Sequence, residues 1–175
     1  RQGNDYSFDE LDEMAEAATP FRSLIDPNDE RFIAPGDMPE RIRSFCRDTG
    51  QPVPEGPGEI IRCALESLAL RYRLTVEELE SITGRDIEVL HLVGGGTKDP
   101  ALNQFAANAV HRPVMTGPVE ATAIGNLIGQ AIALGDLPDL AAARAVVSAS
   151  FETGEYTPRD GDAWNAAYTR FRDLL

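Results

Sequence analysis

The chain has 175 residues, the length of one ordinary domain, and 42% of them are apolar, which argues against global disorder. Its 29 Asp and Glu residues exceed its 16 Lys and Arg residues, and the net charge of −13 opposes binding to nucleic acid or anionic membranes. No apolar run approaches the roughly 20 residues of a membrane-spanning helix, and no signal-peptide core is present, so we expect a cytoplasmic protein. The start at Arg1-Gln2-Gly3, without an initiator methionine, favours a piece of a longer chain.

The first half of the sequence predicts helices joined by proline-rich connectors. Ser7 and Glu10 have the spacing of a capping box, and Asp37 is placed to cap a second helix. Gly84 marks the end of the longest helix, which a kink or split at Leu74-Thr75 would interrupt. These helices are predicted over residues 7–18, 39–48 and 57–83.

The second half predicts strands that alternate with helices. Apolar and β-branched residues from Ile87 to Val93 predict a buried strand, and RPVMTG, residues 112–117, predicts another. Pro118 suits the first turn of a helix that Gly135 ends. Helices are predicted around 102–109, over 118–134, 140–150 and 162–175, and residues 151–161 are predicted to be a loop. The strand-helix-strand order predicts a parallel βαβ unit, and two strands are few for a parallel sheet, which again favours a missing part.

Three consecutive glycines, 94–96, lie between the first predicted strand and the next helix. Glycine lets a backbone turn sharply and lets a ligand approach without meeting a Cβ, and a helix start offers N–H groups to anionic ligands. This favours a nucleotide site over a plain turn. The dinucleotide pattern Gly-x-Gly-x-x-Gly is only partly matched, because Asp99 replaces its third glycine and Glu120 is the nearest acidic residue for a ribose. The Walker phosphate-loop motif is absent.

The remaining candidate residues indicate no catalytic constellation and no metal site. Cys46 and Cys63 lack metal-ligand spacing and are expected to be buried free thiols, with pairing as the alternative. His91 is expected to be a core histidine, and His111 a surface residue at a helix end. No serine lies in a nucleophile elbow. The residues alone therefore predict a nucleotide-binding α/β half-domain without chemistry of its own.

The segment from VLHLVGGGTKDPALNQF to GPVEATAIGNLIGQAIALGDL resembles the C-terminal domain of the FGGY carbohydrate kinases. FIAPGDMP and GPVEATAIGN are most similar to the rhamnulokinase branch of that family. The resemblance implies an α/β fold: the C-terminal part of an actin-like, ribonuclease H-like ATPase domain, helix-rich with a short parallel βαβ unit. It covers residues 1–175 as a partial, nucleotide-side domain whose N-terminal sugar-binding partner domain is absent.

The resemblance also implies an activity for the full-length protein. ATP, with Mg²⁺, would phosphorylate the 1-hydroxyl of L-rhamnulose in L-rhamnose catabolism. Gly95, flanked by Gly94 and Gly96, would contact the adenosine. Asp99 occupies the position at which relatives often have an asparagine that is available to bind the adenine. The catalytic aspartate, the sugar-binding residues and a Ser-Gly-Thr phosphate loop would precede this chain, so the chain alone is expected to be inactive.

Three further expectations follow from the resemblance. Some relatives carry an oxidisable cysteine pair that matches Cys46 and Cys63. His111 stands where relatives usually have glycine at a helix end, which is uncomfortable for histidine if its φ is positive. The face that the missing domain would cover is expected to be apolar and could drive self-association.

Other functions stay open at this point. The chain could belong to another FGGY kinase that acts on a related ketose or polyol. It could also be a non-catalytic module for nucleotide binding or interaction, and a Rossmann redox domain that binds NAD is the last alternative.

Overall fold

The computed structural model of the chain describes residues 6–175, and the start at Arg1-Gln2-Gly3 lies outside the described residues. The α-helices are α1 (Phe8–Ala17), α2 (Met38–Asp48), α3 (Pro57–Thr83), α4 (Pro100–Val110), α5 (Ala121–Leu134), α6 (Leu140–Ser150) and α7 (Gly161–Arg172). The strands are β1 (Leu90–Leu92), β2 (Val114–Thr116) and β3 (Glu155–Tyr156), and 3₁₀ turns span Glu30–Phe32 and Gly95–Lys98.

Local capping signals place the first three helices as predicted. Ser7 and Glu10 form the reciprocal capping box of α1, and the Asp37 side chain accepts a hydrogen bond from the Glu40 N–H at the start of α2. Gly84, with φ +63°, ends α3 in the left-handed conformation. The alternative of a split at Leu74-Thr75 is wrong, because α3 runs unbroken for 27 residues and Leu74 packs against the core.

The sheet confirms the parallel βαβ unit and adds a strand that the sequence did not predict. β1 pairs in parallel with β2, with Leu90 opposite Val114. β3 lies antiparallel on the other side of β2, with Tyr156 opposite Val114. The predicted loop over 151–161 is therefore wrong at β3, where two residues are too few to show an alternating pattern.

The helix after β2 begins later than predicted. Pro118 does not lie in its first turn, because the Pro118 carbonyl accepts a hydrogen bond from the Gly94 N–H at 3.1 Å and residues 119–120 form a turn before the helix. α5 begins at Ala121, with Glu120 at the N-cap position rather than inside the helix. Gly135, with φ +85°, ends it as predicted.

α3 is the central element of the core. Leu70 of α3 packs with Trp164, Tyr168 and Phe171 of α7 in one cluster, and Ala109 of α4 joins them. The helix predicted over 162–175 is thus confirmed, although α7 ends at Arg172. On the α2 side of α3, a second cluster contains Ile25, Ile42, Phe45, Cys46, Ile60 and Cys63.

β1 is an edge strand and is less buried than predicted. Leu90 and Leu92 are half-buried and His91 is exposed, so the expectations of a buried strand and of a core histidine are wrong. The reason is that α5 and α6 cover this face incompletely: α5 buries no residue and α6 buries only Ala143. A cavity of about 530 Å³ remains between His91, Ile128 of α5 and the α6 side chains.

Candidate functional site

The glycine turn that follows β1 is anchored at Gly94. Its backbone, φ +89° and ψ −166°, lies in a region that essentially only glycine adopts. The Gly94 N–H is bound by Pro118, and its carbonyl accepts from the Thr97 N–H at 3.2 Å and from Thr97 Oγ1 at 2.7 Å. Gly94 is therefore required by the fold itself.

Gly95 and Gly96 differ from Gly94. Neither has a φ in the left-handed region, and a Cβ built on either would meet no atom within 4 Å. Within residues 6–175, their N–H groups have no hydrogen-bond acceptor. Nothing in the described part of the chain explains why these two positions lack a side chain, and both residues are exposed.

Asp99 has a structural role between the turn and α4. Its Oδ1 accepts a hydrogen bond from the Leu102 N–H at 2.8 Å, which caps α4. The 3₁₀ turn over Gly95–Lys98 contains Gly95 and Gly96 and lies between Gly94 and α4. Asp99 thus already occupies one N–H group at the start of α4.

A cavity of about 340 Å³ lies beside the turn, at the carboxyl ends of β1 and β2. Thr97 and Lys98 form one wall, and Glu120 and Phe151 lie among the residues that line the others. The volume falls within the range of small-molecule sites, and the carboxyl edge of parallel strands is where such sites occur in α/β sheets. Lys98 brings a positive charge to an otherwise acidic chain.

Acidic residues of α1 lie near the turn. Burial raises the pKa of the Asp12 carboxyl above its ordinary value, and the nearby carboxylates of Asp99, Asp9 and Glu16 raise it further. α1 therefore lies close enough to the start of α4 for Asp12 and Asp99 to repel each other. A ligand at Asp99 would meet an acceptor-rich surface.

Asn103 is a residue of this region that sequence reasoning missed. It is buried on α4, and its Nδ2 donates to the Thr97 carbonyl at 3.0 Å and to the Tyr156 hydroxyl at 3.5 Å. A polar residue on the otherwise apolar face of α4 was the only signal in the sequence. Its partner Tyr156 lies on β3, the strand that the sequence did not predict.

The other candidate residues lie away from the turn. Cys46 and Cys63 are both buried and free, and both lie in the apolar cluster on the α2 side of α3. The interaction of the two thiols lowers the pKa of Cys46 and raises the pKa of Cys63, and burial raises the pKa of Cys63 further. His111 is exposed at the end of α4 with φ +55°, which confirms its place at a helix end, and its Nε2 lies 2.8 Å from Asn165 Oδ1.

Residues 6–175 contain neither a cluster of metal ligands nor a membrane-spanning helix. No group of three or more His, Cys, Asp or Glu side chains there is arranged to hold a metal ion. Over the same residues, no helix combines the length and the apolar character that crossing a membrane requires.

Comparison with known proteins gives a consistent result. The model of the FGGY family of carbohydrate kinases, C-terminal domain, matches residues 1–134. A rhamnulokinase from Bacteroides thetaiotaomicron is 50% identical over 171 residues, 98% of this chain and 35% of that protein. A rhamnulokinase from Pectobacterium carotovorum is 45% identical over 164 residues, 94% of this chain and 33% of that protein. The chain thus spans about a third of the length of these curated relatives.

Solved structures share the fold. A xylulose kinase from Rhodospirillum rubrum superposes with a TM-score of 0.70 at 23% identity, over 99% of this chain and 34% of that chain. A gluconate kinase from Lactobacillus acidophilus gives a TM-score of 0.65 at 16% identity, over 97% of this chain and 34% of that chain. The chain therefore shares the fold of these sugar kinases, and the predicted helix-rich architecture with a short parallel βαβ unit is confirmed.

Proposed function

The chain belongs to the FGGY family of carbohydrate kinases, C-terminal domain, and we propose that it forms the nucleotide-binding side of an ATP-dependent sugar kinase. The sugar that we propose is L-rhamnulose, phosphorylated at its 1-hydroxyl, because curated relatives at up to 50% identity over nearly the whole chain are rhamnulokinases. Residues 1–175 would be a partial C-terminal domain. The catalytic base and the sugar pocket would come from the other two thirds of a longer kinase, so the chain alone would be inactive.

The observation that supports nucleotide binding most strongly is the open backbone at Gly95 and Gly96. Glycine raises the entropic cost of folding, and here neither a positive φ nor a close contact requires it. A ligand that lies flat against the backbone would require it. We propose that the adenosine part of ATP lies there, with Gly94 fixing the shape of the turn.

The polar groups of the turn suit a nucleotide. The N–H groups of Gly95 and Gly96 are donors without a partner among residues 6–175. Asp99 can only accept hydrogen bonds when ionised, so it would bind the adenine amino group and not the ring nitrogens. No three candidate metal ligands converge within residues 6–175, and Mg²⁺ would therefore come with the nucleotide phosphates and with groups outside the described residues.

The partners and the location follow from the same proposal. ATP or ADP would bind this chain and the sugar would bind the missing part, in the cytoplasm. A net charge of −13 argues against nucleic acid and anionic membranes as partners. The open apolar face on α5 and α6 would be covered by the missing part of the kinase, and in the isolated chain it would support self-association.

Calorimetric titration of Mg-ADP and Mg-ATP into the chain and into the longer kinase tests the proposal. We expect binding that Gly95→Val abolishes, because the added side chain would fill the space of the ligand. Gly56→Val is the matched control, since Gly56 also has open space around its Cβ position and lies at the start of α3. Loss of affinity in both variants, or in neither, would contradict the assignment.

Titration with nucleotides and NAD, together with an assay of sugar phosphorylation by the longer protein, distinguishes the alternative functions. Nucleotide binding by the longer protein without phosphorylation of any ketose or polyol would indicate a non-catalytic module. Phosphorylation of another ketose in preference to L-rhamnulose would indicate a different kinase of the same family. Binding of NAD without ADP or ATP would favour a redox domain.

A further inference from the structure

We propose that Asn103 is a positioning residue that holds the glycine turn in the conformation that binds nucleotide. The inference rests on the proposed function, because it assigns a role at the same site. Asn103 is not exposed and does not itself reach the ligand space. Its effect would pass through the Thr97 carbonyl, to which its Nδ2 donates at 3.0 Å.

The turn has two anchors, and Asn103 supplies one of them. At its start, the Gly94 N–H is bound by the Pro118 carbonyl at 3.1 Å. At its end, the Thr97 N–H and hydroxyl bind the Gly94 carbonyl, and the Thr97 carbonyl is bound by Asn103. Gly95 and Gly96 lie between these anchors. The Gly96 carbonyl accepts a hydrogen bond from the Asp99 N–H at 3.2 Å, but neither glycine N–H is bound within residues 6–175, so the direction of these N–H groups depends on both ends.

The nitrogen and the oxygen of the Asn103 carboxamide differ in their hydrogen bonding, and this difference supports the role. Both hydrogens of its Nδ2 have partners, Thr97 and the Tyr156 hydroxyl. Its Oδ1 is buried and has no partner among residues 6–175. An unpaired buried acceptor costs free energy, and a leucine of similar shape would avoid that cost. Stability alone does not explain an asparagine here, whereas the donation to Thr97 does.

This assignment predicts that stability and binding respond differently to Asn103→Leu. The variant removes the unpaired acceptor but leaves the Thr97 carbonyl and the Tyr156 hydroxyl without this donor, and because these effects oppose each other we expect a melting temperature close to that of the wild type. The turn loses an anchor, so exchange of the Thr97 and Asp99 amide hydrogens, measured by NMR, should be about tenfold faster. The Kd for Mg-ADP, measured in the longer kinase, should rise about tenfold.

Asn108→Leu is the matched control, because Asn108 is a buried asparagine on the same helix. Its Oδ1 accepts from Gln104 Nε2 and from the Arg159 N–H, both at 2.8 Å, and makes no bond to the turn. We expect its turn amides and its Kd to match the wild type. If Asn103→Leu accelerates turn exchange no more than Asn108→Leu does, the inference is overturned.

Asn103→Asp is the second variant. The pH dependence of amide exchange in its turn is a readout that a purely structural role would not produce. An ionised aspartate cannot donate to the Thr97 carbonyl, whereas a protonated one can. Relative to wild type at the same pH, we expect faster turn exchange at pH 8 and recovery at pH 5. If the wild-type longer kinase binds no nucleotide, the proposed function fails, and the exchange measurements still decide whether Asn103 holds the turn.

Discussion

Glu66 and Arg62 form an ion pair on α3 in which Arg62 Nε lies 2.8 Å from Glu66 Oε1, and the Glu66 side chain is only 1% exposed. The other carboxylate oxygen accepts from the Phe21 N–H at 2.8 Å. Arg62 also donates to the Ala15 and Glu16 carbonyls at the end of α1. This pair therefore joins α1, the connector after it and α3.

Replacing Glu66 by glutamine should destabilise the chain. Glu66→Gln leaves one acceptor oxygen where the carboxyl group has two, so its NH₂ group must face either Arg62 or the Phe21 N–H, and we expect the free energy of unfolding to fall by about 1–3 kcal/mol at pH 7. Urea unfolding measures it. Glu78→Gln, on the exposed face of the same helix, is the control and should change stability by less than about 0.5 kcal/mol. Equal effects of the two substitutions would contradict the prediction.

The same carboxyl predicts a pH dependence. Burial raises the pKa of Glu66 above its ordinary value of 4.5, although Arg62 and the Phe21 N–H act in the opposite direction. Between these two pKa values the folded state holds a proton that the unfolded state has lost, so this group stabilises the fold more as the pH falls from 7 towards 4.5. The difference in the free energy of unfolding between wild type and Glu66→Gln should therefore increase as the pH falls over that range. A difference that decreases would mean that the ion pair with Arg62 affects the pKa of Glu66 more than burial does.

Local signals were enough to predict most of the helical framework. The capping box at Ser7, the N-cap at Asp37 and the left-handed Gly84 each act within a few residues of a helix end. α3 has the predicted bounds because Gly84 agrees with the helical spacing of its apolar residues. The order of elements likewise predicted the parallel pairing of β1 with β2.

Features set by distant contacts could not be predicted. β3 exists because Tyr156 pairs with Val114 across 42 residues of chain. His91 is exposed because α5 and α6 leave one sheet face open, which no local pattern shows. At the site, the three glycines were visible in the sequence, but their different roles were not. Only the tertiary structure shows that Gly94 is needed for its backbone angle and that Gly95 is open to a ligand. The link from Asn103 to Tyr156 is equally non-local.

The cysteines give a third prediction. Since the free thiols of Cys46 and Cys63 are buried in the same cluster, we expect diamide to join them in an intramolecular disulfide, with each thiol losing one hydrogen. Mass spectrometry after peptide digestion would detect the linked pair. Cys63→Ser is the control and should give no intramolecular link. Recovery of both thiols unlinked after oxidation would contradict the pairing suggested by the family resemblance.

Self-association of the isolated chain is the fourth prediction. Leu127 and Leu134, two turns apart on α5, are 66% and 79% exposed. We expect sedimentation velocity to show dimers or larger species that the double variant Leu127→Glu, Leu134→Glu converts to monomer. Ile82→Glu is the control, because Ile82 is 81% exposed near the end of α3, away from that face. A wild-type monomer at high concentration would contradict the prediction.

The glycine turn gives the last prediction, which separates fold from ligand binding without using a bulky side chain. Gly94→Ala should lower the free energy of unfolding by about 1–3 kcal/mol, because alanine is strained at φ +89° and ψ −166°. Gly95→Ala should leave stability unchanged or raise it by up to about 1 kcal/mol, because its conformation suits alanine and the unfolded chain loses freedom. Urea unfolding of both variants, with calorimetry of Mg-ADP binding, measures the two effects. If Gly95→Ala lowered stability as much as Gly94→Ala, Gly95 would be required by the fold, and the argument that its missing side chain leaves room for adenosine would lose its basis.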